Sequence, residues 1–239
     1  MTELELEHQA PGQVRWSDRV LVVGMNGNGK SELAAHLFNQ VRCRRVLVDP
    51  KGDWQVAGAP RYRLRAQTES NAQAELEGVD WAAPIVHVQP DALNRPQLEA
   101  LYAQLDRLAP CLVWTDEAYM ATTGSWEPRG LRSIQTTGRS RGIGHLACTQ
   151  RPKNISVTLR TEAQHIFVFR DVGSEDLASL LEHLPYVANL FDLSMTKVLA
   201  ELPEYGFVWF DRGARDVRIC DPLPAELLGA GIVTKAPGR

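Results

Sequence analysis

Short apolar runs alternate along this chain with segments in which apolar residues recur at helical spacing. The apolar runs predict strands at 20–23, 46–48, 85–88, 111–114, 143–149 and 163–170, with a further short strand within 61–66. Helical spacing predicts helices within 32–41, 95–109, 174–184 and 189–202, and a weaker polar helix at 69–79. The pattern predicts an α/β fold with a central, mainly parallel sheet flanked by helices.

The two ends of the chain differ from this pattern. Three glutamates alternate with two leucines within residues 3–7, which suits an edge strand, a segment ordered against a neighbour or a flexible terminus. Residues 205–221 predict a C-terminal β-hairpin, and the proline- and glycine-rich residues from Pro222 onward are expected to trail over the surface. We therefore predict an N-terminal arm (1–18), one domain (19–221) and a C-terminal tail (222–239).

A glycine-rich loop follows the first predicted strand and precedes the first predicted helix. It has the pattern G-x-x-x-x-G-K-S, from Gly24 to Ser31. Glycines let the backbone curl so that successive N–H groups point at phosphate oxygens, and the helix N-terminus adds partial positive charge there. Lys30 can reach the β- and γ-phosphates, and the Ser31 hydroxyl can ligate Mg²⁺. The alternative is a glycine-rich turn that happens to precede a helix. The predicted nucleotide contacts are Gly24, Asn26, Gly27, Asn28, Gly29, Lys30, Ser31 and Glu32.

Carboxylate and amide side chains follow two later strands. Asp116 and Glu117 end the strand at 111–114, and Gln150 ends the strand at 143–149. In a nucleotide hydrolase the Asp completes the surroundings of Mg²⁺ and the Glu polarises the attacking water. Asp-Glu after a strand is common on its own, but its combination with the loop upstream predicts a hydrolytic site. The amide of Gln150 is expected beside the γ-phosphate.

The sequence leaves more than one position open for each of two cationic side chains, Lys51 and Arg139. Lys51 follows the strand at 46–48, where it lies near phosphate, near a neighbouring subunit or simply in a turn. Arg139 precedes the strand at 143–149, so it lies at the opposite end of the sheet from Gln150. It is badly placed for its own nucleotide and well placed for a neighbour's. The alternative is that Arg139 and Arg141 are surface arginines.

Composition and charge exclude several classes. At 239 residues, with 44% hydrophobic and 23% charged residues, the chain is ordinary for a soluble globular protein. No apolar run approaches the ~18 residues of a membrane helix, and the acidic N-terminus lacks the features of a secretory signal. The four scattered cysteines indicate neither a zinc site nor a disulfide framework, so a cytoplasmic location is expected.

The net charge of −3 argues against a generally basic nucleic-acid binder, but the distribution of charge is uneven. Residues 128–161 hold seven basic side chains and no Asp or Glu. Such a run is either a solvated face or a set of phosphate contacts. We predict that Arg129, Arg132 and Lys153 face a channel and track DNA phosphates without reading bases.

Four segments in order, GMNGNGKS, VDPKGDW, LVWTDEA and GRSRGIGHLACTQRP, carry a family resemblance. Residues 18–172 resemble the FtsK–HerA group of DNA-pumping ATPases. The resemblance implies a RecA-like (ASCE) P-loop NTPase with Walker A and Walker B motifs, which uses ATP and Mg²⁺ and forms a homo-oligomeric ring, a hexamer, around double-stranded DNA. It also implies that Gln150 is a sensor and that Arg139, or failing it Arg141, serves the adjacent subunit's site.

Features that the chain lacks narrow the resemblance. Membrane helices, a DNA-sequence-reading domain and an N-terminal barrel are not recognisable in the sequence. A bare core of this size is most similar to the genome-packaging ATPases of tailless, membrane-containing double-stranded DNA viruses. That similarity implies a portal or membrane protein as partner, and a place in the host cytoplasm or at the virion vertex. A cellular FtsK/HerA-type or conjugative pump is the alternative.

Two other classes share the phosphate-binding loop. A small-molecule kinase would normally carry a mobile lid with its own arginines, without the combination of Asp116, Glu117 and Gln150. A nucleotide-gated assembly module need not keep the acidic pair. A turnover assay with and without DNA separates these classes.

Overall fold

The computed structural model describes residues 14–184, 195–228 and 231–236. The alternating segment at 3–7 and the first residues of the helix predicted at 189–202 lie outside these ranges. The strands are β1 (Arg19–Val23), β2 (Arg44–Val48), β3 (Trp54–Val56), β4 (Arg61–Arg63), β5 (Ile85–Gln89), β6 (Cys111–Thr115), β7 (Ile143–Thr149), β8 (His165–Phe169), β9 (Phe207–Asp211), β10 (Asp216–Cys220) and β11 (Val233–Lys235). The helices are α1 (Lys30–Gln40), α2 (Glu69–Glu77), α3 (Arg95–Leu105), α4 (Arg129–Thr137), α5 (Val157–Glu162), α6 (Ser174–Leu181) and α7 (Met195–Glu201).

Nine of these strands form one sheet in the order β10-β9-β8-β1-β7-β6-β2-β5-β4. Pairing is parallel from β8 to β4, whereas β9 and β10 add an antiparallel hairpin at one edge. Val23 lies opposite Thr149, and Val48 lies opposite Thr115, so the central strands end at about the same level. This architecture confirms the predicted α/β fold and its C-terminal hairpin. It also brings the residues that follow β1, β2, β6 and β7 to one edge of the sheet.

The two faces of the sheet are covered unequally. Helices α2 to α7 pack on one face, where their buried side chains, such as Leu101, Ile134 and Leu177, form the larger core. The other face is covered by α1 and by a two-stranded sheet of β3 and β11. Trp54 of β3 meets Trp114 of β6 there, with ring centroids 4.7 Å apart. The smaller core therefore lies directly behind the loop that joins β1 to α1.

A buried chain of hydrogen bonds fixes the strand that ends in Asp116. The Tyr102 hydroxyl lies 2.6 Å from that of Thr115, which lies 2.9 Å from Nε2 of His145. Gln135 of α4 contacts the other ring nitrogen of His145. Burial lowers the pKa of His145 to about 3, so the ring is neutral. This network ties α3 and α4 to β6 and β7.

The structure contains elements that the sequence patterns did not predict. The basic run includes helix α4, in which Leu131 and Ile134 are buried while the arginines face outward. Strand β11 lies within the predicted surface tail, and this expectation was wrong for residues 233–235: Val233 is 1% exposed and pairs with Val56. The limits predicted for the domain remain a prediction. In the described part of the chain, no helix is long and apolar enough to cross a membrane.

Candidate nucleotide-binding site

The loop between β1 and α1 has the backbone that an anion site requires. Gly27 and Gly29 have φ of +85° and +91°, a region in which residues with a side chain are strained. Helix α1 begins directly after Gly29, and among the described residues no side chain caps its first turn. Its N–H groups are therefore available to a ligand. Lys30 and Ser31 occupy this turn and are 4% and 9% exposed.

The predicted loop contacts lie around one cleft of about 770 Å³. Gly24 is held at the end of β1, where its N–H donates to the Thr149 carbonyl over 3.2 Å. The Asn28 amide donates to the Arg170 carbonyl, which anchors the loop to the end of β8. The cleft itself is lined by Asn26, Gly27, Gly29, Lys30, Ser31, Glu32, Lys51, Asp53, Trp54, Asp116, Glu117, Phe169, Tyr205, Phe207, Pro222, Leu223, Leu228, Thr234 and Lys235.

Glu117 is the centre of the charged part of this cleft. Its Oε1 accepts hydrogen bonds from Lys51 Nζ at 2.8 Å and from Gln150 Nε2 at 2.7 Å. Lys30 Nζ lies 3.4 Å from the same oxygen. The structure thus brings together Lys30, Glu117 and Gln150, which were predicted from three separate segments, and it adds Lys51.

The backbone and the second oxygen of Glu117 are also unusual. Its φ of 50° and ψ of 61° lie in the left-handed region, which is sparsely populated by residues with long side chains. The residue is 3% exposed, and its buried Oε2 has no hydrogen-bond partner among the described residues. An oxygen in this state can accept a hydrogen bond from a water molecule that enters with a ligand.

Asp116 is a buried carboxylate with a single donor. The Trp54 indole donates to its Oδ2 over 2.8 Å, and its buried Oδ1 has no partner in the described part of the chain. Burial raises the pKa of Asp116 to about 6, with help from the negative charges of Glu117 and Asp49, against the Trp54 hydrogen bond and the charge of Lys30. A cation at Oδ1 would relieve this cost.

These residues fit Mg²⁺. The Ser31 hydroxyl and Asp116 are oxygen ligands of the kind Mg²⁺ takes, and Mg²⁺ on a nucleotide draws most of its other ligands from phosphate and water. Within the described residues, no group of three or more His, Cys, Asp or Glu side chains could hold a metal ion alone. The ion would therefore be bound together with a nucleotide.

Asp49 builds the turn that carries Lys51 and Trp54. Its Oδ1 accepts from the backbone N–H groups of Gly52 and Asp53, at 2.8 and 3.2 Å, and its Oδ2 accepts from that of Trp54 at 3.1 Å. Trp54 was missed by sequence reasoning, because β3 is only three residues long. The turn signal Asp-Pro-Lys-Gly was the available clue to this corner of the site.

Lys51 is charged in this environment. Burial alone would lower its pKa, but the hydrogen bond and the negative charge of Glu117 outweigh burial, so the pKa of Lys51 is raised. The sequence left three places open for Lys51: near phosphate, near a neighbouring subunit or in a turn. In the structure its ammonium group contacts Glu117 in the cleft. Lys51 and Lys30 belong to separate segments of the sequence, but both side chains approach Oε1 of Glu117.

The two candidate arginines lie at the other end of the sheet, before β7. Arg141 donates to the carboxylate of Asp106 and to the Ser133 hydroxyl. The side chain of Arg139 is half exposed, and its nearest acidic atom is Asp18 Oδ1 at 4.0 Å. The seven residues of β7 separate Arg139 from Gln150, which corresponds to about 20 Å. Arg139 is thus the less constrained of the two.

The three residues predicted to contact DNA are on the surface but have different surroundings. Arg132 donates to Glu127 over 2.7 Å, and Lys153 donates to Glu175 over 2.7 Å. Arg129 begins α4, where its backbone N–H donates to the Glu99 carboxylate. A phosphate would have to compete with a carboxylate for Arg132 and Lys153.

Comparison with known proteins gives matches at the level of structure. Neither a family model nor a curated protein sequence matches the chain. The genome packaging NTPase from Sulfolobus turreted icosahedral virus 2, solved with AMP, superposes with a TM-score of 0.66 at 19% identity over 88% of this chain and 100% of that one. The DNA-packaging ATPase from Sulfolobus turreted icosahedral virus gives 0.57 at 16% identity, over 87% of this chain and 98% of that one.

A third solved structure has a different biological setting. The conjugation coupling protein TcpA of pCW3 gives a TM-score of 0.54 at 16% identity, over 86% of this chain and 60% of that one. Identities this low show a shared fold. The chain therefore shares the α/β fold of these solved structures, which agrees with the P-loop NTPase fold predicted from its sequence.

Proposed function

We propose that this protein is an ATPase that moves double-stranded DNA, and that its task is genome packaging in a virus. The observation that carries the ATPase part is the convergence of Lys30, Gln150 and Lys51 on one oxygen of Glu117, beside the uncapped start of α1. Hydrolysis of a phosphoanhydride needs a group that holds phosphate and a base that holds water. The helix start supplies the first, and the buried carboxylate, with one oxygen that has no partner among the described residues, supplies the second.

The chain's residues have separate tasks in this reaction. The N–H groups of the loop and the Lys30 ammonium hold the β- and γ-phosphates. Ser31 and Asp116 would hold Mg²⁺, which neutralises charge on the phosphate oxygens when it is bound. Glu117 orients and polarises the attacking water, and Gln150 reports the γ-phosphate through its hydrogen bond to Glu117.

The ring is the next part of the proposal. Arg139 lies about 20 Å from Gln150, at the amino end of β7, so it cannot serve the site of its own chain. A head-to-tail ring, a hexamer by resemblance, would bring it to the neighbour's γ-phosphate.

The DNA part rests on charge and on the solved structures. Residues 128–161 contain seven basic side chains and no acid; Arg160 among them is buried, whereas α4 holds Arg129 and Arg132 on an exposed surface. Two structural neighbours are named as a DNA-packaging ATPase and as a conjugation coupling protein. Similar structures were solved with AMPPCP and with ATP-gammaS, which supports ATP as the nucleotide. A cellular or conjugative DNA pump remains the second candidate, and a portal or membrane protein is the expected partner for docking.

The test is ATP turnover with and without double-stranded DNA. The wild-type protein should hydrolyse ATP in the presence of Mg²⁺, and DNA of any sequence should stimulate it. Lys30→Ala should abolish nucleotide binding, because it removes the charge on the phosphates. Glu117→Gln should bind ATP normally and lose hydrolysis by ~10²–10⁴-fold, because only the carboxylate that polarises water is neutralised.

Glu162 is a partly exposed carboxylate away from the cleft, and Glu162→Gln is a matched control that should leave turnover unchanged. Wild-type rates in Glu117→Gln would refute its role. Turnover that transfers phosphate to a metabolite would identify a kinase, and binding without turnover would identify an assembly module. DNA affinity should fall steeply with salt, since phosphate contacts release counterions. Equal affinity at low and high salt would count against the DNA part.

A further inference from the structure

The cleft has an apolar half that phosphate chemistry does not use. Its lining residues beyond the phosphate-binding loop include aromatic and aliphatic side chains from three separate segments: Phe169, Tyr205, Phe207, Pro222, Leu223 and Leu228. We propose that this half binds the base of the nucleotide, and that its outer wall is Tyr205 together with the C-terminal segments 222–228 and 231–236. This inference rests on the proposed function, because it names where the base of that nucleotide lies.

The Tyr205 ring lies against the phosphate-binding loop at Gly29. A Cβ atom added to Gly29 would lie 3.4 Å from Cδ1 of Tyr205 and 3.3 Å from Cε1 of Phe169. The two rings therefore border the loop on the side where the apolar half begins. A ligand whose phosphates occupy the loop would place its next group against these rings.

Apolar side chains are exposed along this wall. Tyr205 is 48% exposed with a φ of +63°, and Leu228 is 46% exposed. Large apolar side chains that line a cleft and remain open to water indicate a surface that a ligand covers. A planar base suits this surface, because any base can stack on a ring and cover a leucine.

The 231–236 segment of the wall is held by hydrogen bonds to α1 and to the residues that flank β3. Asn39 of α1 makes two hydrogen bonds to the backbone of Val233. Its Oδ1 accepts from the Val233 N–H at 3.2 Å, and its Nδ2 donates to the Val233 carbonyl at 3.4 Å. The Ala57 N–H donates to the Ile232 carbonyl, and the Ala236 N–H donates to that of Asp53, both over 2.8 Å. Since α1 also carries Lys30, one helix positions this segment of the wall and the phosphate site together.

The size of the cleft agrees with this assignment. Its volume of about 770 Å³ lies within the range of pockets that bind whole cofactors and drug-sized ligands, ~300–1,000 Å³. A triphosphate group alone would leave the apolar half filled with water. The structure therefore points to a nucleoside triphosphate, with its base held mainly by stacking and apolar contact.

The test compares AMPPCP with inorganic tripolyphosphate, both with Mg²⁺, by isothermal titration calorimetry on the full chain. The wild-type protein should bind AMPPCP about tenfold or more tightly than tripolyphosphate, since stacking of one base is worth ~1–3 kcal/mol. Leu228→Ala and Tyr205→Ala should each reduce that preference about threefold or more, and the double variant should nearly abolish it. Tripolyphosphate affinity should stay unchanged in all of them.

Leu227→Ala is the matched control, because Leu227 is exposed, adjoins Leu228 and does not line the cleft. Both test positions are exposed, so the variants should fold as the wild type does. Equal wild-type affinity for the two ligands would overturn the base subsite and leave the proposed function intact. A preference that survives both exchanges, or exchanges that alter only the oligomeric state, would also overturn it. A wild-type protein that binds neither ligand would overturn both.

Discussion

Two buried aspartates, Asp18 and Asp116, stand at opposite edges of the same sheet and have opposite pKa shifts. Both are 4% exposed. Burial raises the pKa of Asp116 to about 6. Burial also acts to raise the pKa of Asp18, but hydrogen bonds from His165 and from the Arg15 N–H outweigh it, so that pKa is lowered. Equal solvent exposure therefore does not decide the charge state, because Asp116 lies deeper in the protein and the donors around the two carboxylates differ.

The donors around each carboxylate contribute to the difference between the two pKa values. Oδ2 of Asp18 accepts from the Arg15 N–H at 2.9 Å and from Nε2 of His165 at 3.2 Å. Nε2 of His165 faces Asp18, and the Trp209 indole, which can only donate, contacts Nδ1 on the other side of the same ring. Asp116 has only the Trp54 indole, and its Oδ1 has no partner among the described residues.

Asp18 therefore stabilises the fold, whereas Asp116 is left able to bind a cation. At the amino edge the protein supplies the partners of Asp18 itself, so the charge contributes to stability. At the carboxyl edge Oδ1 of Asp116 and Oε2 of Glu117 have no partner among the described residues, at a cost that a cation and a water can offset. The amino edge also carries Arg139, and in a ring it would complete the carboxyl edge of the next subunit.

The largest predicted effect links the two edges. Arg139→Ala should bind ATP normally yet lose ~10³–10⁵-fold in hydrolysis, because an arginine supplied in trans stabilises charge that develops on the transferred phosphoryl group. Nucleotide affinity and turnover are measured separately. Arg141→Ala is the matched control, since Arg141 is committed to Asp106 and Ser133.

A mixture of two inactive variants tests the shared site. When Arg139→Ala is mixed with Glu117→Gln, some interfaces combine an intact Glu117 with a neighbour's intact Arg139, and activity should partly return. Mixed rings that form but remain as inactive as their parents would contradict this arrangement. Mass spectrometry of the assembled rings shows whether the two variants have mixed.

Much of the carboxyl edge was predictable because parallel strands align their ends. Apolar runs located β1, β6 and β7, and polar residues directly after each run had to meet at one edge. Lys30, Glu117 and Gln150 follow from that rule, although only the structure shows that they share one oxygen.

The remaining features depend on contacts between distant segments. The strands β3 and β11 have three residues each, too few for a periodic pattern, and they pair across 176 or more intervening positions. The pair of β3 and β11 covers the face of the sheet on which α1 packs. There it places the Trp54 indole against Asp116. The apolar wall beyond β10 was hidden for the same reason, since proline and glycine there indicated a surface tail.

The second prediction concerns the stability of the protein without nucleotide or Mg²⁺. The pKa of Asp116 is raised from 3.8 to about 6, so ionisation destabilises the folded state above pH 6 by about 3 kcal/mol, and this cost shrinks as pH falls toward 4. Asp116→Asn should therefore increase the free energy of unfolding at pH 7.5. About half of the gain should remain at pH 5. An Asn oxygen can still accept from Trp54.

Denaturant unfolding at the two pH values measures this gain. Glu162→Gln removes a partly exposed carboxylate at the amino edge; it is the control and should change stability by less than ~0.5 kcal/mol. A less stable Asp116→Asn protein at pH 7.5 would show that the carboxylate already has its partners and is not held ready for a cation.

The smallest effect is expected at Asp18, with the opposite sign. Its lowered pKa means that the charged form contributes stability above the unfolded value of 3.8, and that this stability is lost as pH falls through the native pKa. Asp18→Asn keeps an acceptor for the Arg15 N–H and for His165 but removes the charge. We expect a loss of about 1–2 kcal/mol, the difference between hydrogen bonds to charged and to neutral acceptors. The loss should be the same at pH 7.5 and pH 5, because Asp18 stays ionised at both in the wild type. A loss that changes between those values in step with Asp116→Asn would mean that the two aspartates titrate alike, and the distinction between the two edges of the sheet would fail.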